Sequence, residues 1–442
     1  MSKWNRTTLG EVVSESNGLI QTGPFGSQLH ASDYVENGIP CIMPTNMKEN
    51  RVSLTGIARI SDKDAQRLSQ HLVKSGDIVY SRRGDITQKA LISDAENGFF
   101  CGTGCILIRP GGNVDSRFLT YFLSTKESKE WLINHAVGIT MPNLNTKILF
   151  KLPLRLPSRD HQERIAAVLS SIDQKIEINN RINTELEAMA KTLYDYWFVQ
   201  FDFPFDFAQG APDENGKPYK SSGGKMLYSK ELKREIPAGW EVKELHQIAN
   251  ITMGQSPEGS SYNEAGKGIV FFQGSTDFGM RFPNIRQYTT EPSRLAKAGD
   301  ILLSVRAPVG TMNIADIDCC IGRGLAALNS KDGFDAYLFY VMEYFKRLFD
   351  RRNSEGTTFG SITKNDLFSL QVAYPDKLLL KAYDDVIAEN NKLVLNNQKE
   401  NQQLTALRDW LLPMLMNGQV QVTDTNHLKT AETQHSADNS PA

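Results

Sequence analysis

The chain has 442 residues, 40% of them apolar and 23% charged, with a net charge of −2. This length predicts about two to four domains with cores of their own, and no apolar run approaches the ~18 residues of a membrane span. The near-neutral charge argues against a protein that binds nucleic acid mainly through its own contacts to phosphate. Such binding would require that basic residues are concentrated in one region or that a partner protein makes most of the phosphate contacts.

The N-terminus and the cysteines indicate a cytosolic protein. The first six residues contain no apolar core of a secretion signal. The five cysteines are an odd set without a Cys-x2-Cys pair, which argues against a disulfide framework and a zinc ribbon. We expect buried, reduced thiols.

Residues 1–157 predict a mixed α+β module. Short apolar runs flanked by Gly, Pro or Asn predict strands at 38–43, 77–81 and 105–109. One helix is predicted from Ser116 to Asn134.

A long helix is predicted over residues 158–199. Its seam alternates steps of four and three, as in a heptad pattern, and includes Asn layers. The seam positions are Ile165, Leu169, Ile172, Ile176, Asn179, Asn183, Leu186, Ala190 and Leu193. Residues 200–236 are rich in Pro, Gly and Ser and predict a linker with a strand or turn of its own.

Residues 237–375 predict a second α+β module, with strands at 269–272, at 300–304 and around Cys319, and a helix from about Asp335 to Arg351. A second long helix is predicted over 376–420 and a disordered tail over 421–442. The seam of this helix is read as Val386, Asn390, Leu393, Asn397, Glu400, Leu404, Leu407 and Leu411.

The two long helices are expected to pack on each other. Neither seam is apolar enough to stabilise its helix without a partner, so we expect the two helices to form an antiparallel pair. Each helix should be roughly 50–60 Å long. Buried asparagines would fix its register; the candidates are Asn179, Asn183, Asn390 and Asn397. Trp197 and Trp410 are interpreted as packing anchors at the helix ends.

The second half of the chain repeats the first. Trp4-x4-Leu9 matches Trp240-x4-Leu245, and Lys74-Ser-Gly-Asp-Ile-Val matches Lys297-Ala-Gly-Asp-Ile-Leu. Each copy then enters a long helix that carries an Asn-Asn pair. Copies of roughly 200 residues are too long for a solenoid repeat and indicate a duplicated module-plus-helix unit with approximate two-fold symmetry.

The sequence contains no persuasive catalytic or metal-binding pattern. There is no Pro-Pro dipeptide of the kind that an amino-methyltransferase uses, and the seven histidines lack metal-ligand spacing. Gly102-Thr-Gly104 and Gly322-Arg-Gly324 are not followed by helix-like sequence, which argues against a cofactor cradle. We expect no catalytic residue and no metal in this chain.

The order of module, helix, module and helix resembles the specificity (S) subunit of type I restriction-modification systems. The resemblance covers residues 1 to about 420. Its markers are Ile236-Pro-Ala-Gly-Trp-Glu241, the Gly-Asp-Ile of each module, Gln21-Thr-Gly-Pro-Phe-Gly-Ser27, Met253-Gly-Gln-Ser-Pro257, the helix from His161 to Asn180 and Leu411-Leu-Pro-Met-Leu-Met-Asn-Gly418. Any one marker is weak, but their order and repetition make a strong signal.

The resemblance implies an α+β fold in which two target-recognition domains are joined by two long antiparallel coiled-coil helices. Each domain would read one half of a bipartite, asymmetric site in double-stranded DNA, and the helices would set the spacer. It implies docking of two adenine-methyltransferase subunits, which two nuclease subunits can join, in a host-defence complex. S-adenosylmethionine would bind the methyltransferase, and ATP and magnesium the nuclease, with no cofactor in this chain.

Base-reading side chains are expected on loops and strand ends. The candidates are Thr45, Asn46, Arg82, Arg83 and Lys89 in the first module and Gln273, Ser275, Thr276, Arg306 and Arg323 in the second. For each of them a solvated loop residue or a structural hydrogen bond is the alternative interpretation.

A different class of function stays open, namely a coiled-coil scaffold whose modules bind proteins or small ligands. A self-sufficient methyltransferase would require a cofactor site that the sequence lacks. Selective adenine methylation at a split motif, in the presence of a methyltransferase partner, would favour the DNA-reading interpretation over the scaffold.

Overall fold

The computed structural model describes residues 4–138, 142–204, 217–354 and 361–422. Most of the predicted tail, and residues 205–216 of the predicted linker, lie outside these ranges. The chain forms two compact units, residues 1–177 with 401–442 and residues 178–400, so that each unit contains one module and part of both long helices.

In its described residues, the first module combines twelve short strands with five α-helices. Its strands are β1 Asn5–Thr8, β2 Leu19–Thr22, β3 Tyr34–Val35, β4 Ile39–Ile42, β5 Met47–Lys48, β6 Arg51–Val52, β7 Ala58–Ile60, β8 Ile78–Ser81, β9 Lys89–Leu91, β10 Phe100–Cys101, β11 Cys105–Arg109 and β12 Pro153–Leu156. Its helices are α1 Leu9–Glu15, α2 Asp62–Arg67, α3 Ser116–Phe122, α4 Lys126–His135 and α5 Thr146–Phe150. The first long helix, α6, follows over Arg159–Tyr194 and ends in a π-turn, Asp195–Val199.

The second module follows a short hairpin in the predicted linker. The hairpin is β13 Met226–Ser229 with β14 Arg234–Pro237. The module strands are β15 Glu241–Glu244, β16 Ala249–Met253, β17 Tyr262–Asn263, β18 Ile269–Phe272, β19 Tyr288–Thr289, β20 Leu295–Ala296, β21 Ile301–Ser304, β22 Met312–Ile314, β23 Cys319–Ile321, β24 Leu325–Ser330 and β25 Gln371–Tyr374. The helices are α7 Leu245–Ile248, α8 Asp335–Ser354, α9 Lys364–Phe368 and the second long helix, α10 Lys377–Met416.

The strand order repeats between the modules. The antiparallel sheet β2-β11-β8-β9 matches β16-β24-β21-β22, and the parallel pair β4–β10 matches β18–β23. The register also agrees, since Ser81 lies opposite Cys105 and Ser304 lies opposite Leu325. The repeat predicted from sequence is confirmed at the level of strand topology.

The Gly-Asp motif begins the same strand in each module through a turn closed by its aspartate. Asp77 accepts the backbone N–H of Lys74 at 2.8 Å, and Asp300 accepts that of Lys297 at 2.8 Å. The strands that follow, β8 and β21, are completely buried. In each module, the hydrogen bond from the backbone to the aspartate carboxylate therefore fixes where the central strand begins.

The predicted helix over 116–134 is wrong in one respect, because the structure divides it into α3 and α4. Thr125 lies between them in an extended conformation and accepts the backbone N–H of Ser128 at 3.2 Å. This is the geometry of a helix N-cap, which begins a new helix after an interruption. The other predicted strands and helices cited above are present.

In the second unit, the long helices run antiparallel. Asn179 donates to Glu400 at 2.7 Å, Asn397 donates to Asn183 at 2.8 Å, and Tyr383 donates to the carbonyl of Ala190 at 3.1 Å. Residue numbers rise along α6 as they fall along α10.

In the first unit, the other parts of the same helices also run antiparallel. Arg408 donates to Asp173 at 2.9 Å. Further along, Ile165 and Leu169 of α6 share an apolar cluster with Leu415 and Met416 of α10.

The predicted seam is confirmed for α6 and wrong for part of α10. Val386, Leu393 and Leu407 are exposed, whereas Ile387 and Val394 are buried. Ile387 packs in a cluster with residues of α8 and α6, so the buried face of α10 is set by the second module as well as by α6. A seam predicted from the packing of the two long helices alone does not include this shift of the buried face by one residue.

Two smaller expectations have definite outcomes. All five cysteines are free and buried, as predicted. Trp197 is partly buried in the aromatic core of the second unit, but Trp410 is 62% exposed and is not a packing anchor within this chain. In the described ranges, none of the helices combines the length and apolar character that crossing a membrane requires.

Candidate nucleic-acid interface

The loops of each module meet at one end of its antiparallel sheet. In the first module, β2, β8, β4 and β10 end there, and β9 and β11 begin there. The matching strands of the second module have the same directions. We call each set of converging loops a reading edge; the loops are residues 23–29, 43–46, 82–88, 102–104 and 142–145 in the first module and 254–261, 273–276, 305–311, 322–324 and 361–362 in the second.

Glycines allow the loops to pack closely at both reading edges. The backbone N–H of Gly23 donates to the carbonyl of Cys105, and that of Gly254 to the carbonyl of Leu325, each at 2.9 Å. A Cβ atom on Gly23 would meet the carbonyl oxygen of Gly102, and one on Gly254 would meet that of Gly322. Only residues without a side chain fit at these crossings.

Arg82 and Arg83 follow β8 directly and differ in their surroundings. The Nε of Arg82 donates to Oδ1 of Asn143 at 3.1 Å, and its guanidinium lies 5.5 Å from the ring centre of Phe25. Burial, and then the charge of Arg83, lower the pKa of Arg82. Arg83 is exposed. Arg82 therefore holds part of the edge together, while Arg83 faces solvent.

Arg306 occupies in the second module the position that Arg83 occupies in the first. It is exposed, and its backbone pairs with Ser361 as the backbone of Arg83 pairs with Asn143. Arg323 is also exposed, on the loop between β23 and β24, where its backbone N–H donates to Oγ of Ser256 at 3.4 Å. The predicted arginines of the second module thus lie at one edge.

The remaining candidates of the second module lie on the loop after β18. Gln273 and Thr276 are exposed and Ser275 is half-buried. The side-chain amide of Gln273 donates to Oγ of Ser256 at 2.9 Å. Ser256, which the sequence did not single out, therefore connects Gln273 with the loop of Arg323.

The candidates on the loop after β4 divide between surface and interior. Thr45 is exposed, but Asn46 is only 3% exposed. The Oδ1 of Asn46 accepts the backbone N–H of Met43 at 3.1 Å, and its Nδ2 donates to the carbonyl of Ser53 at 3.4 Å. Both ends of the amide stabilise the loop, and this burial argues against a direct base contact by Asn46.

Lys89 is buried in strand β9, contrary to what a base-reading residue requires. It is 3% exposed and lies opposite Tyr80 in the sheet, at the position that Met312 occupies in the second module. Burial, and then the positive charge of Lys129, lower the pKa of Lys89 to about 7, although the negative charge of Asp85 acts in the opposite direction. This burial argues against a direct base contact by Lys89.

The sequence and the fold both match known proteins. The family model described as "Type I restriction modification DNA specificity domain" matches residues 1–188 and 237–405. The MjaX specificity subunit of Methanocaldococcus jannaschii is 30% identical over 396 residues, covering 87% of this chain and 88% of that protein. The HindI specificity subunit of Haemophilus influenzae is 22% identical, covering 95% of this chain and 100% of that protein.

This chain belongs to the family of type I restriction-modification specificity subunits. The S subunit of a type I system from M. genitalium shares the fold, with a TM-score of 0.59, 16% identity and coverage of 95% of this chain and 97% of that chain. This specificity subunit determines the DNA sequence specificity of its enzyme complex and is a non-catalytic component of that complex.

The reading edges of the specificity subunit contain residues that the sequence did not assign to a site. Phe25 contacts Arg82, and Ser256 contacts Gln273. Nothing in the local sequence brings these pairs together. The repeated Gly-x-Gly of residues 102–104 and 322–324 was the available signal, because each copy forms one loop of a reading edge.

Proposed function

We propose that each module of this specificity subunit reads one half of a bipartite, asymmetric site in double-stranded DNA. The observation that carries this proposal is the pair of reading edges, which share a backbone framework but differ in side chains. Thr103 stands between the two glycines of the first edge, and Arg323 stands between those of the second. Similar frames with different donors suit two unlike half-sites.

The domains that we propose follow the sequence boundaries. Target-recognition domains occupy residues 1–157 and 237–375, and coiled-coil helices occupy 158–199 and 376–420, arranged as an antiparallel pair with pseudo-two-fold symmetry. Residues 200–236 form the linker and 421–442 the tail. Support comes from the antiparallel hydrogen bonds of α6 and α10 within the second unit and from the repeated strand order.

The same helices are proposed to set the spacer and to dock two methyltransferase subunits. Each helix exposes large apolar side chains at near-heptad spacing on one face, as a helix does when another helix covers it. On α6 these are Ile178, Ile182 and Met189; on α10 they are Val386, Leu393, Leu407 and Trp410. We call these two sets the apolar stripes.

A partner also accounts for the net charge of −2. If the methyltransferase subunits surround the duplex, they supply most of the phosphate contacts that this chain lacks. S-adenosylmethionine is then bound by the methyltransferase. Where two nuclease subunits join, they bind ATP and magnesium, and the assembled complex acts in the cytoplasm.

Mapping of methylated adenines tests this function. The chain is co-expressed with the methyltransferase of its own system in a host without adenine methylation, and the host genome is sequenced for N6-methyladenine. We expect one split motif with a fixed spacer, and no such motif when this chain is omitted. Methylation without a common motif would refute the function and favour a scaffold.

A further inference from the structure

The loop that follows the Gly-Asp strand is built alike in the two modules. It contains seven residues in each, 82–88 and 305–311. Its ends are joined by the same hydrogen bond, from Ser81 N–H to the carbonyl of Gln88 at 2.9 Å and from Ser304 N–H to that of Thr311 at 2.8 Å.

Inside this loop the arginine is held in the same way twice. The hydroxyl of Ser81 donates to the carbonyl of Arg83 at 2.8 Å, and the hydroxyl of Ser304 donates to that of Arg306 at 2.8 Å. Each backbone also pairs with the segment that follows the module helices, at Asn143 or Ser361. Arg83 and Arg306 are therefore presented at equivalent places.

Among the residues that the structure describes, neither guanidinium has a partner. Both arginines are exposed, and within the residues that the structure describes no hydrogen bond or ion pair engages either side chain. An exposed arginine on a constrained backbone can bind an external anion at little conformational cost to the loop.

A second loop is also built alike but carries unlike side chains. Gly102 N–H donates to the carbonyl of Ile42 at 2.9 Å, and Gly322 N–H donates to that of Phe272 at 2.8 Å. Gly104 and Gly324 accept from the residue after β8 and β21, at 2.8 and 2.9 Å. Between the glycines, the first module has Thr103 and the second has Arg323.

We propose a division of labour at the reading edges: Arg83 and Arg306 bind DNA phosphate, and Arg323 reads a base pair in the half-site of the second module. The proposal rests on the proposed function, in which the modules read unlike half-sites. Unlike half-sites share the same charged phosphate backbone, so an arginine repeated in the same place fits a phosphate. A side chain that differs in the same place fits base discrimination, and arginine is suited to guanine O6 and N7.

Salt dependence separates these roles. The methyltransferase complex is assembled with the wild-type chain or with Arg83→Ala, Arg306→Ala or Arg323→Thr, the last of which installs the residue of the first module. Its affinity is measured by fluorescence anisotropy at several salt concentrations, with duplexes that carry the mapped motif or single base-pair changes. Arg155→Ala, at an exposed arginine on β12 outside the reading edge, is the matched control.

We expect Arg83→Ala and Arg306→Ala to weaken binding to all duplexes alike. Each should reduce the slope of log affinity against log salt by about 0.9, the value for one phosphate contact. Arg323→Thr should relax discrimination at one base pair of one half-site, by about 5- to 150-fold. The Arg155→Ala control should change neither quantity.

Three results would overturn the proposal: selective loss of discrimination at one base pair in Arg83→Ala or Arg306→Ala, unchanged affinity in both, or unchanged discrimination in Arg323→Thr. Retained methyltransferase binding and an unchanged melting temperature show that a variant is folded. Failure of the proposed function is distinguishable, because the wild-type complex itself would then methylate no split motif.

Discussion

Asn397 donates a hydrogen bond to Asn183 at 2.8 Å, between α10 and α6. Asn183 is buried, and one turn away the equally buried Asn179 donates to Glu400 at 2.7 Å. Buried amides are satisfied only when these positions face each other, so the polar layer favours one register of the helices over its neighbours.

Replacing one asparagine of this layer should cost more than replacing both. Asn183→Leu leaves the amide of Asn397 without its partner, and we expect a loss of about 1–3 kcal/mol in the free energy of unfolding. The double variant Asn183→Leu with Asn397→Leu should regain most of that loss. Urea denaturation with Asn396→Ala, an exposed neighbour, as control measures both effects. A double variant as unstable as the sum of the single variants would contradict this interpretation.

Lys89 should destabilise the first module near neutral pH. Burial lowers its pKa to about 7. As the pH falls from about 10 to about 7, the unfolded chain takes up a proton that the buried amine does not accept readily, and the folded state loses stability. Lys89→Met, which copies Met312, should raise the melting temperature by several degrees at pH 6.5, since ~1 kcal/mol corresponds to roughly 2–4 °C. The gain should shrink towards pH 10. Lys126→Met, at an exposed lysine, should show no such trend, and a pH-independent gain in Lys89→Met would contradict the prediction.

Asp384 should limit stability above pH 6. Burial raises its pKa to about 6, although its Oδ1 accepts the backbone N–H of Tyr337 at 3.1 Å. The contribution of the protonated Asp384 to the free energy of unfolding is complete below about pH 4 and is lost as the pH rises to about 6. Asp384→Asn keeps an acceptor, so it should gain on the order of 1–3 kcal/mol at pH 7.5 and nothing at pH 4. Asp385→Asn, at an exposed neighbour, is the control in urea titrations. An equal gain at both pH values would speak against the assignment.

The apolar stripes should be required for the methyltransferase and not for the fold. Met189 is 63% exposed and Trp410 is 62% exposed. Met189→Asp or Trp410→Asp should weaken association by about 30-fold or more, the effect typical of an interface hot spot. Size-exclusion chromatography and titration calorimetry measure this loss. Gln402→Asp, at an exposed position on the side of α10 away from Leu393, should bind normally, and normal binding by both stripe variants would exclude the stripes as the docking surface.

The sequence predicts the elements of this fold well because their signals are local. Gly-Asp before an apolar run places β8 and β21, and the heptad spacing places α6 correctly from Ile165 to Leu193. The seam of α10 fails at Val386 and Leu393, because the core of the second module selects Ile387 instead. A periodicity shows that a face is buried but does not show how many neighbours share it.

The reading edge is only partly visible in the sequence. Arg83 and Arg306 follow from their place after the Gly-Asp strand, whereas the burial of Asn46 and Lys89 depends on loops and strands packed over them. The contact between Arg82 and Asn143 spans 61 positions, and no local pattern predicts it. Tertiary packing thus decides which polar residues of a loop remain available for a ligand.

The division of the site between two modules is tested most directly by exchanging one of them. Residues 1–157 are replaced with the first module of another specificity subunit, and methylated adenines are mapped in cells that contain the chimaera and the methyltransferase. We predict that one half of the split motif changes while the other half and the spacer stay the same. A motif altered in both halves would contradict independent reading by the two modules.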